Sequence, residues 1–287
     1  MTAHVAERGE GRGRVVLRLA CTAPVNEHAV AAAISVAKAF HSEIESVFVA
    51  DRQLFDAAAY AFANVIGPAG ARGAIEVESM TRQIELASRA MQRRVEELAH
   101  DADVPVHGRI VRDTPIAALA RACQAVGPWN VVALSETFTA ESLARLGDLF
   151  ERVTGMTGVV MVGPRACRSK GPVVAVIEDV ERLVGMTRAA VRIAAVTSGE
   201  VVLAIAASDN AARIFIEEQV RPTVAGHAGV SLAVLGRPGG GTAVVAEALR
   251  RLAPGFVIAE HGGIAVPRVG DLRPLATAIE CPLLVVR

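Results

Sequence analysis

Short apolar runs alternate along the chain with longer segments whose apolar residues recur at helical spacing. Val15–Ala20 is rich in β-branched and aliphatic residues and predicts a strand, and Asn26 then opens a helical segment that reaches Phe40. The same alternation continues through the first half of the chain. It predicts strands at 15–20, 44–50, 104–111, 130–134 and 159–162, and helices at 26–40, 76–99, 139–153 and after Asp113-Thr114-Pro115, where the proline lies in the first turn.

Residues 52–74 interrupt the alternation and are expected to be irregular. The segment contains Phe55, Tyr60 and Phe62 and continues into Gly67-Pro68-Ala69-Gly70, and the second half has no counterpart of similar length. Two roles stay open for it. It would be a lid packed over the ligand end of its own half, or an aromatic docking surface for a protein partner.

A polar segment at 165–171 separates two predicted strands and is interpreted as a linker. Beyond it the alternation predicts strands at 173–177, 201–206, 231–235, 256–259 and 283–286, and helices at 182–197, 210–225, 243–252 and 272–279. Strands that alternate with helices form parallel sheets with helices on both faces. The sequence therefore predicts an α/β, Rossmann-like fold with a doubly wound five-stranded parallel sheet in each half.

A pentapeptide recurs at corresponding places in the two halves. Arg145-Leu146-Gly147-Asp148-Leu149 and Arg268-Val269-Gly270-Asp271-Leu272 both precede the last apolar strand of their half. The order of elements around them also repeats, which indicates two copies of one unit fused head to tail. We expect domains at 14–165 and 171–287, with the boundary between Pro164 and Pro172, and a disordered N-terminal tail at 1–13.

Composition and charge narrow the classes of function. Hydrophobic residues make up 52% of the chain and aromatic residues only 3%, so the core must be aliphatic. Lys plus Arg number 30 and Asp plus Glu number 30, and this neutral balance gives no general reason to bind nucleic acid or a membrane. The four cysteines are scattered, and the polar start is unlike a secretory signal, so a soluble cytoplasmic protein is expected.

The repeated order of strands and helices, with the pentapeptide and the V-rich last strand of each half, resembles a tandem universal stress protein. The resemblance covers residues from about Val15 to Arg287. It implies the strand order 3-2-1-4-5 in each half. It also implies a pseudo-dimer in which the last strands, 159–162 and 283–286, associate, since an apolar edge strand needs covering. Further association of whole chains into a homodimer stays open.

Members of this family that bind ATP carry Gly-x2-Gly-x9-Gly-Ser/Thr after the fourth strand. The matching positions here are Leu134, Thr137, Gly147 and Asp148 in the first copy, and Val257, Glu260, Gly270 and Asp271 in the second. One position of four agrees in each copy, and a carboxylate replaces the hydroxyl that would donate to phosphate. Both motifs are therefore degenerate, and we expect no ordinary ATP binding in the first domain. The Gly-Asp pair is interpreted as the start of a helix, where an aspartate accepts from free backbone amides.

The second copy retains residues that would suit an anion. The family's first strand usually ends in an aspartate that contacts the nucleotide, and Glu178-Asp179 lies near that position, although a capping role explains it equally well. The loop after the third strand combines a flexible backbone, a helix start and an arginine. Its alternative interpretation is a plain turn, and His261, after the fourth strand, is more often a loop residue. The candidate set is Glu178, Asp179, Arg237, Gly239, Gly240, Gly241, Thr242 and His261.

These observations favour a regulatory or binding protein of the stress response, without catalysis. No nucleophile motif occurs, and the histidines show no metal-ligand spacing with one another or with the cysteines. No resident cofactor is expected. The alternative is a protein that binds a nucleotide or small anion in its second domain. An enzyme or an electron-transfer flavoprotein-like subunit of the adenine-nucleotide-binding α/β group is the third interpretation.

Overall fold

A computed structural model describes residues 13–20, 25–58, 60, 64–66, 72–74, 77–127 and 129–287. Strands and helices alternate through both halves at the places where the hydrophobic pattern predicts them. In the described residues the first half contains β1 (Val15–Ala20), α1 (Glu27–Ala39), β2 (Ile44–Asp51), α2 (Arg52–Ala58), β3 (Asn64–Ile66), β4 (Arg72–Ala74), α3 (Val77–His100), β5 (Val106–Asp113), α4 (Pro115–Gln124), β6 (Asn130–Thr137), α5 (Ala140–Ala144), α6 (Leu146–Arg152) and β7 (Met156–Val162).

The second half is a simpler repetition of the same order. It contains β8 (Val173–Ile177), α7 (Val180–Thr197), β9 (Val201–Ile205), α8 (Asn210–Ala225), β10 (Val230–Val234), α9 (Gly241–Leu252), β11 (Phe256–Glu260), α10 (Arg273–Ala278) and β12 (Pro282–Val286). None of the helices in the described part of the chain is both long and apolar enough to cross a membrane.

Several helices begin where a short polar side chain can accept from a free backbone amide. Asn26 accepts from the amide of His28 before α1, and Asp209 accepts from the amide of Ala212 at the start of α8. Such caps satisfy amides that have no partner inside the helix and contribute about 1 kcal/mol each. The sequence pattern locates these starts well because the capping contact is local.

One ten-stranded sheet unites the two halves in the described residues. Its strand order is β10-β9-β8-β11-β12-β7-β6-β1-β2-β5. Each half contributes five parallel strands in the order 3-2-1-4-5, which confirms the predicted arrangement. β3 and β4 form a separate antiparallel pair within the segment 52–74.

The junction of the sheet is the antiparallel pair formed by β7 and β12. Val160 lies opposite Leu284, and Val162 lies opposite Pro282. Gly158 allows the close approach, since a Cβ there would lie 3.0 Å from the Leu284 side chain. The two strands that the resemblance expected to associate are therefore hydrogen-bonded to each other within this chain.

Each face of the sheet carries a hydrophobic core that runs through both halves. One core joins side chains of α1, α3, α7 and α8 to the sheet, and includes Val30, Val95, Ile193 and Val220. The other joins α4, α5, α6, α9 and α10, and includes Leu119, Phe150, Leu249 and Leu275. The central strands are buried on both faces, which explains their continuous apolar sequences.

Two of the predicted elements are wrong. The segment 52–74 was expected to be irregular, but α2 and the β3–β4 hairpin form there. Phe55 of α2 is buried, and the Arg112 guanidinium lies 3.6 Å from the centre of its ring, so this part of the segment packs on its own half. The single helix expected at 139–153 is two short helices, because Arg145 leaves helical geometry and caps both of them.

Some expectations lie outside what the structure describes. The tail at 1–13 falls there except for Gly13, as do Cys21 and Phe62, and whether 52–74 acts as a lid or a docking surface stays a prediction.

The connection between β7 and β8 is hydrogen-bonded to the second half. The amides of Cys167 and Arg168 both donate to the carbonyl of Glu280, and the Arg168 guanidinium lies 2.9 Å from the Glu280 carboxylate. The domain limits at 165 and 171 stay a prediction.

Candidate functional site

A cleft of about 550 Å³ opens at the carboxyl ends of β8 and β11 in the second half. The strand order reverses between these two strands, and open α/β sheets bind ligands at such a reversal. The cleft walls carry both signs of charge. They include Glu178, Asp179, Ser208, Glu260, His261 and Arg268.

Glu178 holds the loop on the other side of this cleft. Its carboxylate accepts from the amide of Ile264 and, at 3.0 Å, from the amide of Ala265. Gly263 leaves the room for this contact, since a Cβ there would collide with the carboxylate. Burial raises the pKa of Glu178 above its usual value, and the nearby Glu260 carboxylate raises it further, while the two amides oppose the shift.

Asp179 and Glu260 also have partners within the protein. The Asp179 carboxylate accepts from the amide of Glu181 at 2.9 Å and caps α7, which is the structural role that its position allows. Glu260 lies 3.2 Å from the guanidinium of Arg182 on the same helix. The acidic side chains of the cleft therefore connect the strand ends to α7 and to the facing loop.

The glycine-rich loop after β10 lies next to the cleft, but its residues do not line it. The amide of Gly239 donates to the Ala207 carbonyl at 3.0 Å, and the amide of Gly240 donates to the Arg237 carbonyl at 3.1 Å. Gly241 begins α9, and Arg237 is exposed and has no ion pair within the described residues. Two of the amides that an anion would need are thus already used, and the anion site at this loop stays a prediction.

Thr242 stabilises the same loop that Glu178 holds. Its hydroxyl donates to the carbonyl of Ile264 at 2.9 Å. Thr242, which the sequence suggested for anion binding, therefore stabilises the loop that faces Glu178. The structure therefore brings Glu178, Asp179 and His261 together around one cleft. Arg237 and Gly239–Gly241 are not among the residues that line it, and Thr242 donates a hydrogen bond to Ile264, which does line it.

His261 packs against the first half of the chain. Its ring centre lies 5.1 Å from that of Phe150 at an angle of 36°, and Gly147 leaves space beside it. Burial lowers the pKa of His261 below its ordinary value, and the charge of Arg268 lowers it further. The residue that follows the pentapeptide of the first copy, Phe150, thus supplies a contact between the two halves.

Acidification is expected to weaken this contact through His261. Because the folded-state pKa of His261 lies below the value near 6.5 of the unfolded chain, the stabilising contribution is present above 6.5. It is lost as the pH falls from there through the folded-state pKa. The melting temperature of the natural protein should therefore fall more than that of His261→Phe between about pH 7.5 and pH 5. Parallel melting profiles of the two proteins would show that His261 does not titrate in this way.

The first half has a different arrangement at its own strand reversal. Residues 21–24, which follow β1, lie outside the described residues. Arg18 of β1 forms an ion pair of 2.5 Å with Glu136 of β6 across the reversal point. Both side chains are mostly buried, and the ion pair connects β1 to β6 where the strand order reverses.

The two aspartates of the repeated pentapeptide behave differently. The Asp271 carboxylate accepts from the amide of Arg273 at 3.0 Å at the start of α10, and the Arg273 guanidinium lies 2.8 Å from it. These bonds lower the pKa of Asp271 to about 2. Asp148 lies in the first turn of α6, where its charge favours the helix start, but it is not the capping residue.

Arg268 is a cleft residue that sequence reasoning did not single out. It precedes the repeated Gly-Asp, is exposed, and makes no ion pair within the described residues. Its side chain lies over Gly262, where a Cβ would approach the guanidinium at 3.0 Å. The sequence shows only that an arginine begins both pentapeptides. The fold shows that Arg268 borders the cleft.

Two of the three cysteines in the described residues are buried. Burial raises the pKa of Cys123 and of Cys281 to about 12, and a protonated, buried thiol is inert. Cys167 is exposed. Within the described ranges, no group of three or more His, Cys, Asp or Glu side chains could hold a metal ion.

Solved structures with this architecture include universal stress proteins. One from Archaeoglobus fulgidus DSM 4304 has a TM-score of 0.63 at 12% identity, covering 95% of this chain and 96% of its own. A functionally unknown protein from Pseudomonas aeruginosa PAO1 has a TM-score of 0.54 at 12% identity, covering 96% and 92%. No family model and no curated protein matches the sequence. The resemblance to universal stress proteins is thus confirmed for the fold.

Proposed function

We propose that this chain is a universal stress protein-like regulatory or binding protein without catalytic activity, and that neither half binds ATP in the ordinary way. The fold shared with a universal stress protein along nearly the whole chain supports the general class. The second support is the set of contacts in the cleft at the carboxyl ends of β8 and β11, called the strand-end cleft below. These contacts already occupy backbone amides that a phosphate of a nucleotide would need.

The observation that carries the proposal is the position of the Glu178 carboxylate. Consecutive backbone amides in a loop form a cradle for an anion such as a phosphate. Here the amides of Ile264 and Ala265 already donate to Glu178, so a carboxylate of the chain itself fills the cradle. A phosphate entering this cleft would have to displace Glu178, and it would also meet the charges of Asp179 and Glu260.

The first half supports the same conclusion by a different contact. The Arg18–Glu136 pair spans the reversal point, and a nucleotide there would have to break it. The glycines and the hydroxyl residue of the ATP motif are also missing at Leu134, Thr137 and Asp148. We therefore expect that calorimetric titration of the whole protein with ATP or AMP shows no binding at millimolar nucleotide. Micromolar affinity, roughly −8 kcal/mol, would overturn this expectation.

Removal of the Glu178 side chain tests the carboxylate directly. Glu178→Ala should lower the free energy of unfolding by about 1–3 kcal/mol, because two backbone amides lose their acceptor. Phosphate or acetate should then raise the melting temperature of this variant more than that of the natural protein, since a free anion can enter the emptied cradle. Asp179→Ala is the matched control, because it removes a helix cap and leaves the cradle filled.

Thermal shift measurements of the natural protein, Glu178→Ala and Asp179→Ala at several phosphate concentrations test whether the two amides can bind an anion. Equal anion responses of the natural protein and Glu178→Ala would show that the two amides are not an anion cradle.

A second candidate function is the binding of a small anion beside Arg268. This guanidinium has no carboxylate partner in the described part of the chain, and it lies at the mouth of the cleft. The loop that contains Arg237 adjoins the cleft, because Gly239 and Thr242 donate hydrogen bonds to lining residues. A phosphate response that disappears in Arg268→Gln but survives in Arg237→Gln would favour this function and locate it at the cleft. The reverse result would locate it at the glycine-rich loop.

A further inference from the structure

A larger cleft, of about 1070 Å³, lies where the two halves meet. The first half contributes the end of α1 and the starts of β1, β6 and β7, and the second half contributes one side of α7 and the end of β12. It shares no lining residue with the strand-end cleft. We propose that this inter-half cleft binds a small amphipathic carboxylate, a molecule with an apolar body and one anionic end.

The apolar body would lie on aliphatic and aromatic side chains from both halves. The partly exposed apolar residues of the lining are Phe40, Val131, Ala189 and Val286, and buried side chains such as those of Val36 and Leu284 lie beneath them. Binding sites for small molecules are mostly apolar with a few polar groups that orient the ligand, and a volume of about 1070 Å³ is at the upper end of their range. Transfer of an apolar chain from water to such a surface favours binding in proportion to the area covered.

The anionic end would lie beside Arg188 and Arg192 on α7. These arginines are four residues apart and therefore lie on the same side of the helix. The Arg192 guanidinium lies 5.6 Å from the centre of the Phe40 ring of the first half, and neither arginine makes an ion pair within the described residues. Glu181 is the acidic residue of the lining, so the two arginines leave a positive excess there.

Two of the other three arginines that line the cleft are already paired, and Arg287 is exposed and makes no ion pair within the described residues. Arg14 pairs with Glu43 at 2.5 Å and with Glu45, and Arg182 pairs with Glu260. Arg188, Arg192 and Arg287 are therefore the cations available to a ligand, and Arg188 and Arg192 lie together on α7. A guanidinium can present two parallel N–H donors to one carboxylate, which would fix the orientation of the ligand.

Gly185 keeps the α7 side of the cleft open. It lies in the interior of the helix, where glycine costs about 1 kcal/mol relative to alanine. No atom lies within 4 Å of a Cβ built at this position, so packing inside the protein does not require a glycine. Its missing side chain leaves space in the cleft wall between Arg182 and Arg188.

Trp129 makes the proposal directly measurable. It lines the cleft, it is 64% exposed, and it is the one tryptophan of the sequence. Titration with dodecanoate, kept below its micelle-forming concentration, should therefore change the tryptophan fluorescence with a saturating curve. Dodecyltrimethylammonium, which has the same chain and the opposite charge, should give no saturating curve.

Variants of α7 separate specific binding from adsorption. Gly185→Leu should weaken dodecanoate binding by about tenfold or more by filling the cleft, and Arg188→Gln combined with Arg192→Gln should do so by removing the charge. Gly185→Ala and the distant Arg93→Gln should bind like the natural protein, and Gly185→Ala should be more stable. Equal affinity in all variants, saturable binding of the ammonium compound, or no saturable binding of dodecanoate would overturn the proposal.

Discussion

Replacement of Asn130 by alanine should lower the free energy of unfolding by about 3 kcal/mol or more, because a fully buried side chain satisfies several backbone groups at once. Its Oδ1 accepts from the amide of Arg14 at 3.1 Å. Its Nδ2 lies within hydrogen-bond distance of four carbonyls, those of Cys123, Val126, Gly127 and Gly155. Alanine would leave these buried groups without their partner.

Chemical denaturation followed by circular dichroism measures this effect. Asn130→Asp keeps the shape but replaces the donor with an acceptor among carbonyl oxygens, so it should be at least as destabilising. Asn210→Ala is the matched control on the surface and should change the free energy by no more than about 0.5 kcal/mol. If Asn130→Ala is as mild as this control, the hydrogen bonds of Asn130 contribute little net stability.

Replacement of Leu284 by alanine should destabilise the whole molecule by about 2–5 kcal/mol, the usual cost of truncating a buried leucine. Leu284 is 2% exposed and lies at the β7–β12 junction opposite Val160. Its side chain also approaches Gly158. Truncation would leave a cavity where the two halves meet, and rigid neighbouring strands can fill it only in part.

The junction variant also tests whether the halves unfold together. Both hydrophobic cores run through the junction, so the Trp129 fluorescence of the first half and the far-ultraviolet circular dichroism of the whole chain should report one transition. Val234→Ala, on the outer strand β10 where the side chain is 43% exposed, should cost less than about 1 kcal/mol. Separate transitions for the two probes would show that the junction does not couple the halves.

The strands and caps were predictable because their signals are local. Val173–Ile177 and Asn210–Ala225 have the predicted bounds, since a continuous apolar run and an aspartate before a helix each act within a few residues. The pairing of the last strands followed from the repeat and the family resemblance. The sequence did not predict the break between α5 and α6 at Arg145, nor the antiparallel pair β3–β4 within 52–74. Both depend on packing against residues that are distant in the chain.

The candidate site was predicted only in part, for the same reason. Glu178, Asp179 and His261 do meet at one cleft, because the carboxyl ends of neighbouring parallel strands share an edge of the sheet. The sequence could not show that the amides of Ile264 and Ala265 bind Glu178, nor that His261 contacts Phe150. Those partners lie far apart in the chain, and a hydrogen bond depends on distances that only the folded backbone defines.

The class of fold, the repetition of the unit and the degenerate ATP motifs could all be recognised in the amino-acid sequence. These properties follow from hydrophobic periodicity, turn residues and motif spacing, all of which are short-range. The contacts at the strand ends and between the halves became visible only in the folded chain. Folding brings the Glu178 carboxylate into a cradle of amides, buries Asn130 among carbonyls, and creates the inter-half cleft beside Gly185 from segments of both halves. The physical reason is that polar contacts and cavities arise from long-range packing of the two halves along one sheet, which no local pattern specifies.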